Sequence, residues 1–388
     1  MSKLQELIQQ YCPDGVEYRK IKDVCDDIIV PMRDRPKIFD GNIPWCRIED
    51  KEGQYFHKSL SGLGVSEKVI KEMNLKIFPT GTVICSCSAS LGAYAINTCP
   101  LITNQTFIGL VCGSEISNKY LLYFMETQTK LLRSKATTGT IPYISRQKFE
   151  DLEIPVPPLE VQAEIVRILD TFTELTAELT AELTARQKQY EYYRDSLLNF
   201  NHKKWGGIQW VELQEIADIC TGSSNTNEAV ENGKYPFYVR SQEPLLKNEY
   251  EFDDTAIITA GDGVGVGKVY HYVEGKYALH QRAYRIHINS DKIYPRFYFH
   301  YMRSAFLNYI NKAMFHGSVS SIRRPMLNEF PVPVPSLDVQ QRIVEVLDNF
   351  EKICTDLKIG LPAEINARKQ QYEYYRDKLL TFRKKDEL

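Results

Sequence analysis

The residues best equipped for chemistry lie in "AGDGVGVGKVY" (Ala260 to Tyr270), where Gly261, Gly263, Gly265 and Gly267 alternate and Lys268 follows. Such a stretch could cradle a phosphate, but it meets neither the G-x-x-x-x-G-K-[ST] nor the G-x-G-x-x-G spacing. It predicts a strand, a glycine-rich turn and a returning strand, a shape that lets a DNA backbone come close. His271, His280, His287, His300 and His316 have neither H-E-x-x-H spacing nor a cysteine pair beside them, so no metal site is expected. Asp253, Asp254 and Asp262 stand outside any nuclease motif, and no G-x-S-x-G turn presents a nucleophile. The one Pro-Pro, Pro157-Pro158 in "PVPPLE", is not the [DNS]-P-P-[YFW] loop of an amine methyltransferase.

Nine cysteines (12, 25, 46, 85, 87, 99, 112, 220 and 354) are an odd number without a C-x-x-C pair, which points to reduced thiols in a cytoplasmic protein. No apolar run is long enough for a membrane span, and "MSKLQELIQQYCPDG" lacks the plan of a signal peptide. The final "KDEL" therefore reads as the end of a charged tail rather than a retrieval signal.

Contact with a polyanion is the chemistry left. The net charge of -2 gives no global hint of it. Locally, Thr255 to Asn328 holds Lys/Arg at 268, 276, 282, 285, 292, 296, 303, 312, 323 and 324 against acids at 262, 274 and 291. Lys119 to Lys148 holds Lys/Arg at 119, 130, 133, 135, 146 and 148 against Glu126. Two basic stretches in a neutral chain fit two nucleic-acid-facing surfaces, because phosphate contact needs local potential. On charge alone, a solvated surface balanced by neighbouring acids fits as well.

The elements that would position these stretches come in two copies. "PVPPLEVQAEIVRILDTF" (Pro155 to Phe172) recurs as "PVPSLDVQQRIVEVLDNF" (Pro333 to Phe350), and "TGTIPYISRQKFEDLEIPVP" (from Thr138) faces "HGSVSSIRRPMLNEFPVPVP" (from His316), both displaced by 178 residues. "RQKQYEYYRDSLLNF" (from Arg186) likewise returns as "RKQQYEYYRDKLLTF" (from Arg368). The variable parts mix short β-branched runs with helical spacing, in which Tyr120, Phe124, Tyr294, Tyr298 and Tyr301 are expected in the core. The repeated parts read as helices beginning at Pro157-Pro158 and Pro335-Ser336. Val161, Ile165, Ile168, Phe172, Leu175 and Leu179 form one apolar seam, and Val339, Ile343, Val346, Phe350, Ile353 and Leu357 the other. The first helix, uninterrupted from Leu159 to Phe200, would be a rod of roughly 63 Å; the second should kink or restart at "GLP" (Gly360 to Pro362). The fold class expected is α+β: two mixed α/β domains separated by two long helices packed as an antiparallel coiled coil, with an internal pseudo-two-fold repeat. The boundaries are 1-156 and 202-334 for the domains, and 157-201 and 335-388 for the helices.

Two variable domains, each followed by P-V-P-x-x-L-x-x-Q-x-x-I-V-x-x-L-D-x-F and then R-x-x-Q-Y-E-Y-Y-R-D-x-L-L-x-F, with tandem "TAEL" between them, closely resemble the specificity subunit of Type I restriction-modification systems. The resemblance spans the chain. It implies a non-catalytic DNA reader whose two target recognition domains each read one half of a bipartite double-stranded site. The helices would set the spacing and dock two methylation subunits, which methylate adenine, and the assembly would join two restriction subunits. No cofactor would be bound by this chain; S-adenosylmethionine, ATP and Mg are expected on those partners.

Loops rich in polar and basic residues are where bases and phosphates would be met. In the first domain these are Arg33, Arg35, Arg47, Asn104, Gln105, Lys135, Thr140 and Arg146; in the second, Arg240, Gln242, Lys268, His280, Gln281, Arg282, His316, Ser318, Arg323 and Arg324. Partner docking is expected at the matched aromatic clusters Tyr190, Tyr193, Leu197, Phe200 and Tyr372, Tyr375, Leu379, Phe382. The competing reading is an orphan coiled-coil DNA-binding scaffold or regulator without cognate enzymes; a single-chain nuclease has no motif to support it. One "TAEL" tetrapeptide more or less would shift a helix by about 6 Å with ~40° of rotation, so its number should set the gap between half-sites.

Overall fold

The computed structural model describes residues 3–137, 142–200, 208–313, 321–356 and 359–385. It divides into two compact units, Met1–Glu178 with Ile365–Leu388, and Leu179–Glu364. Each unit combines sheets with helices, and the repeat seen in the sequence reappears as repeated bonding.

In the first unit a six-stranded sheet runs in the order Cys25–Ile29, Phe107–Cys112, Val83–Ser86, Tyr94–Asn97, Tyr55–Phe56, Lys51–Glu52. Its inner strands are buried on both faces, as "VICS" and "YAIN" are buried throughout. A helix, Asn118–Thr127, covers the sheet with Tyr120 and Phe124 inward. The second unit repeats the plan with a four-stranded sheet, Ala217–Thr221, Ala283–Ile288, Ala256–Ala260, Tyr270–Val273, covered by helix Pro295–Ala313. Tyr298 and Tyr301 face inward there; Tyr294, expected in the core, is exposed because it precedes the helix and lies off its apolar face.

The long helix runs from Leu159 to Leu197, directly after Pro157-Pro158 as expected. The C-terminal helix ends at Thr355 and restarts at Leu361, with Pro362 in the first turn, where a missing N–H is harmless. Early residues of the long helix meet late C-terminal ones, Phe172 stacking on Tyr375 in the first unit, and later residues meet earlier ones, Tyr193 stacking on Phe350 in the second. That is antiparallel order. The second seam departs from expectation: Val346 and Ile353 are exposed, and the buried stripe is Gln340, Ile343, Val344, Leu347 and Cys354. The helix turns that face because it must close the core of its own unit; Leu357 lies outside the described residues.

One latch is built twice. Gln162 and Gln340, the glutamines of the "VQ" pairs, are both 0 % exposed. Gln162 accepts from the Ser117 N–H at 2.9 Å and donates to the Glu115 and Pro157 carbonyls at 2.8 Å each. Gln340 accepts from the Tyr294 N–H at 2.8 Å and donates to the Lys292 and Pro335 carbonyls at 3.0 and 2.8 Å. Each glutamine fastens the start of a repeated helix to the loop that enters the covering helix. Tyr120 and Tyr298 add a second fastening, donating to the Pro155 and Pro333 carbonyls at 3.0 and 2.6 Å.

Candidate nucleic-acid interface

Three segments meet at the ends of two inner strands of each sheet, held by the same backbone bonds in both units. In the first unit the Cys87 N–H donates to the Thr106 carbonyl (2.8 Å) and the Ile144 N–H to the Cys87 carbonyl (2.8 Å), with an antiparallel bridge between Ser88 and Tyr143. In the second the Gly261 N–H donates to the Arg282 carbonyl (2.8 Å) and the Ile322 N–H to the Gly261 carbonyl (2.7 Å), with a bridge between Asp262 and Ser321. The register matches: Phe107 pairs with Ser86, and Ala283 with Ala260. A turn after one strand, a corner before the next, and the lead-in to a short helix (Arg146–Glu150 or Arg324–Asn328) thus form one surface per unit.

The corner is shaped by a side chain at equivalent positions. Asn104 Oδ1 accepts from the Thr106 N–H at 3.1 Å, and His280 Nδ1 accepts from the Arg282 N–H at 3.0 Å. Asn104 and His280, expected to touch DNA, use those atoms to hold the loop, which then presents its neighbours. Burial, aided by Arg240, keeps the His280 pKa below its ordinary value, and its Nδ1 is already an acceptor, so the ring is neutral with its proton on Nε2. Backbone conformation agrees as well. Ala89 (φ 39) and Gly263 (φ 79) occupy the same turn position in the left-handed region, which a glycine accepts freely and an alanine holds only under strain.

The second unit gathers its predicted residues well. Arg240 and Arg282 both bind Asp262, at 2.7 and 3.1 Å, leaving one net positive charge with both guanidinium planes oriented. Burial alone would raise the Asp262 pKa, but the two arginines, Arg240 first, hold it below the usual range. Gln281 donates to Asn225 Oδ1 at 2.5 Å, and Gln242, Lys268, Arg323 and Arg324 are exposed. A concavity of about 420 Å³ lies beside the turn, walled by Thr226, Val239, Arg240 and Ser241. His316 and Ser318 lie outside the described residues, as does Thr140 in the first unit.

The first unit is gathered less completely. Gln105 is exposed on the corner, and Arg146, exposed at the short helix, pairs with Glu150 at 2.5 Å. Lys135 is exposed; its carbonyl accepts from Lys148, and the nearby Thr137 N–H donates to the Tyr143 carbonyl at 3.0 Å. Arg33 and Arg35 sit in an exposed segment where Arg35 stacks over Phe39, and no bond among the described residues ties them to the three segments. Arg47 is half-buried and its Nε is enclosed without a partner. Sequence reasoning passed over Tyr143, Ser88, Ala89, Asn225 and Asp262 as parts of this surface; the 178-residue displacement that equates Tyr143 with Ser321 was the signal for the first of them.

The aromatic clusters divide between packing and exposure. Phe200 is buried against Phe297 and Tyr301, and Tyr190, Leu197, Tyr372, Leu379 and Phe382 pack on the cores. Tyr372 also hydrogen-bonds Glu126. Tyr193 and Tyr375 stack on Phe350 and Phe172 at 5.5 Å and stay partly exposed, at 39 % each. The most exposed members are their neighbours Tyr192 (70 %) and Tyr374 (60 %), one position off those expected. A helix turns 100° per residue, so the tyrosine beside a packed one points outward.

Among the described residues no other cluster offers a clearer chemistry. All nine cysteines are free, and burial pushes Cys25, Cys46 and Cys112 up to about 12 and Cys87 to about 11, which keeps these thiols protonated. Among the described residues His300, Asp348 and Glu351 bring three metal-capable atoms within 4.8 Å of one another, but Arg296 binds both carboxylates and Arg303 binds Glu351. Among the described residues no helix is long and apolar enough to cross a membrane.

Known proteins place this architecture. The sequence model of the Type I restriction modification DNA specificity domain matches twice, at residues 13–186 and 206–367. The chain is 35% identical over 295 residues to the Escherichia coli EcoR124I/EcoR124II specificity subunit, covering 69% of this chain and 71% of that one. It is 30% identical over 341 residues to the Escherichia coli EcoprrI specificity subunit, covering 82% of each. In fold it is similar to the crystal structure of the Type-I restriction-modification S subunit from M. genitalium, with a TM-score of 0.59 at 17% identity over 94% of this chain and 96% of that one. A structure solved for complex assembly and conformational transition of the type I R-M system gives a TM-score of 0.64 at 18% identity, over 94% and 97% of the two chains. Duplicated domains, duplicated latches and a twice-matched family model agree: the chain belongs to the Type I restriction-modification DNA specificity family.

Proposed function

We propose that this chain is the DNA-reading, non-catalytic subunit of a Type I restriction-modification complex, acting in the cytoplasm. Residues 1-156 and 202-334 are its recognition domains, each meeting one half of a bipartite site through its three-segment surface. The observation that carries this reading is one backbone frame built twice with different side chains on it: Ser88, Asn104 and Tyr143 in one unit, Asp262, His280 and Ser321 in the other, with a glutamine, Gln105 or Gln281, kept at the corner of both. A shared frame docks on the shared feature of DNA, its phosphate backbone, while differing side chains select different bases.

The helices, 157-201 and 335-388, act as spacer and as docking faces for two methylation subunits. Tyr192 with Tyr193, and Tyr374 with Tyr375, supply matched exposed aromatics for that purpose. S-adenosylmethionine belongs to those partners, and ATP and Mg to two restriction subunits. The test is to map methylated adenines in cells expressing the chain with its methylation partner, before and after exchanging residues 202-334 for those of a relative. One half-site should change and the other persist. Change in both halves, or in neither, refutes the assignment. Adding one "TAEL" should lengthen the unread gap and leave the bases alone.

A further inference from the structure

Val264 stands at the tip of the glycine-rich turn and is 96 % exposed, more than any other large apolar side chain among the described residues. The turn beneath it is firmly held. Asp262 is bound by two arginines and bridged to Ser321, and the N–H groups of Val266, Lys268 and Val269 return to Gly263 and Gly265 at 2.9 to 3.3 Å. Glycines on both sides thin the tip. A Cβ at Gly263 would meet nothing, whereas one at Gly265 would stand 2.6 Å from the Arg240 carbonyl, so the turn packs tightly on one side and is open on the other. The equivalent turn of the first unit is folded down: the Ala93 N–H donates to the Ser90 carbonyl at 3.1 Å, Arg133 holds the Leu91 carbonyl at 2.7 Å, and Ser90, in the place of Val264, is half-buried.

We propose that Val264 is a specificity-determining residue of the second recognition domain, packing its isopropyl group against the 5-methyl group of a thymine. This rests on the DNA-reading function proposed above. The thymine methyl is the apolar feature that DNA presents on a base edge in the major groove, and polar neighbours cannot read it. A wedge between base pairs needs a longer or flatter side chain than valine. Valine instead has a single stiff rotamer choice and short reach, which suits a methyl-to-methyl contact at the end of a rigid turn. Arg240 and Arg282, both bound to Asp262, and the exposed Lys268, Arg323 and Arg324 of the adjoining segments supply the phosphate attraction that brings the groove to it.

The experiment uses the full chain assembled with its methylation subunits on its mapped site. Each thymine is replaced in turn by uracil, which lacks only the methyl, and affinity is measured with the native chain and with Val264→Ala. One uracil position should weaken native binding by roughly threefold to tenfold, and Val264→Ala should lose the same factor on thymine and nothing more on that uracil. Additive losses at every position, an unchanged affinity for Val264→Ala, or a site without thymine in the half read by the second domain would each overturn the inference. Arg240→Ala with Arg282→Ala separates the two levels of the argument. If that pair weakens binding while Val264 shows no coupling, Val264 is not a reader and the DNA-binding function stands; if the assembly shows no sequence preference at all, both fall.

Discussion

The two units hold their loops with the same bonds and fill them with different chemistry. Positions 104 and 280 are asparagine and histidine, yet both offer one acceptor to the N–H two residues on. Positions 88 and 262 are serine and aspartate, yet both bridge to the third segment. What differs is what faces outward: the first unit holds its turn down with Arg133, and the second leaves Val264 exposed two residues after an aspartate bound by two arginines. Each unit is secured at other residues, by Gln162 and Tyr120 or Gln340 and Tyr298, so the outward residues are free to change without breaking those bonds. A recognition surface that must diversify benefits from stability placed elsewhere.

The sharpest way to break this comparison is to remove the latch. Gln162→Ala and Gln340→Ala each strand a buried N–H and two carbonyls, so each should destabilise its own unit by about 2–5 kcal/mol. Hydrogen exchange resolved by peptide would show each loss confined to one unit, and similar in size. If one glutamine proves dispensable, the two latches are not equivalent.

A smaller effect separates the two surfaces. Arg240→Ala with Arg282→Ala should weaken DNA binding about tenfold at low salt and lower the slope of log affinity against log salt by about 1.8, the value for two phosphate contacts. Arg146→Ala in the first unit should lower it by about half as much, since one guanidinium is lost, and that one is shared with Glu150. The pair Arg323→Ala and Arg324→Ala is the further check: an unchanged affinity and slope would remove both from the footprint.

The smallest effect is a pH dependence linked to the buried histidine of the second unit. In the second, Asp348 is held by Arg296 and by buried His300, whose Nε2 lies 2.7 Å away; in the first, the matching Asp170 is held by Lys119 and the Tyr123 hydroxyl. Burial lowers the His300 pKa despite the pull of Asp348 and Glu351. The unfolded chain, with a histidine pKa near ~6.5, then takes the proton first as pH falls. This contribution is complete above that pH and declines below it, by at most about 1.4 kcal/mol per pH unit. Denaturation followed at pH 7.5 and pH 5.5 should show a loss in the second unit that His300→Gln reduces without abolishing, because burial also lowers the pKa of His271 and His280 in that unit.

Much of this was legible in the chain itself. The 178-residue displacement, the helix start after Pro157-Pro158 and the restart near Gly360 follow from local rules that need no tertiary partner. The latch was not legible as such, because Gln162 and Gln340 lie within runs read as an apolar seam, and a glutamine becomes core only when three backbone groups surround it. Asn104 and His280 were picked out as polar loop residues; that their acceptors are already engaged depends on how the corner folds. Tyr192 and Tyr374 lay beside the expected positions because which side of a helix is covered is decided by what packs on it.

By itself, then, the sequence determined the duplication, the mixed α/β domains, the helices and the family, since these depend on periodicity, breakers and near-identical motifs. The tertiary structure decided which side chains reach outward. That choice arises where strands far apart in the chain are brought edge to edge, so that one residue's hydrogen bond frees or consumes its neighbour, and no local pattern encodes it.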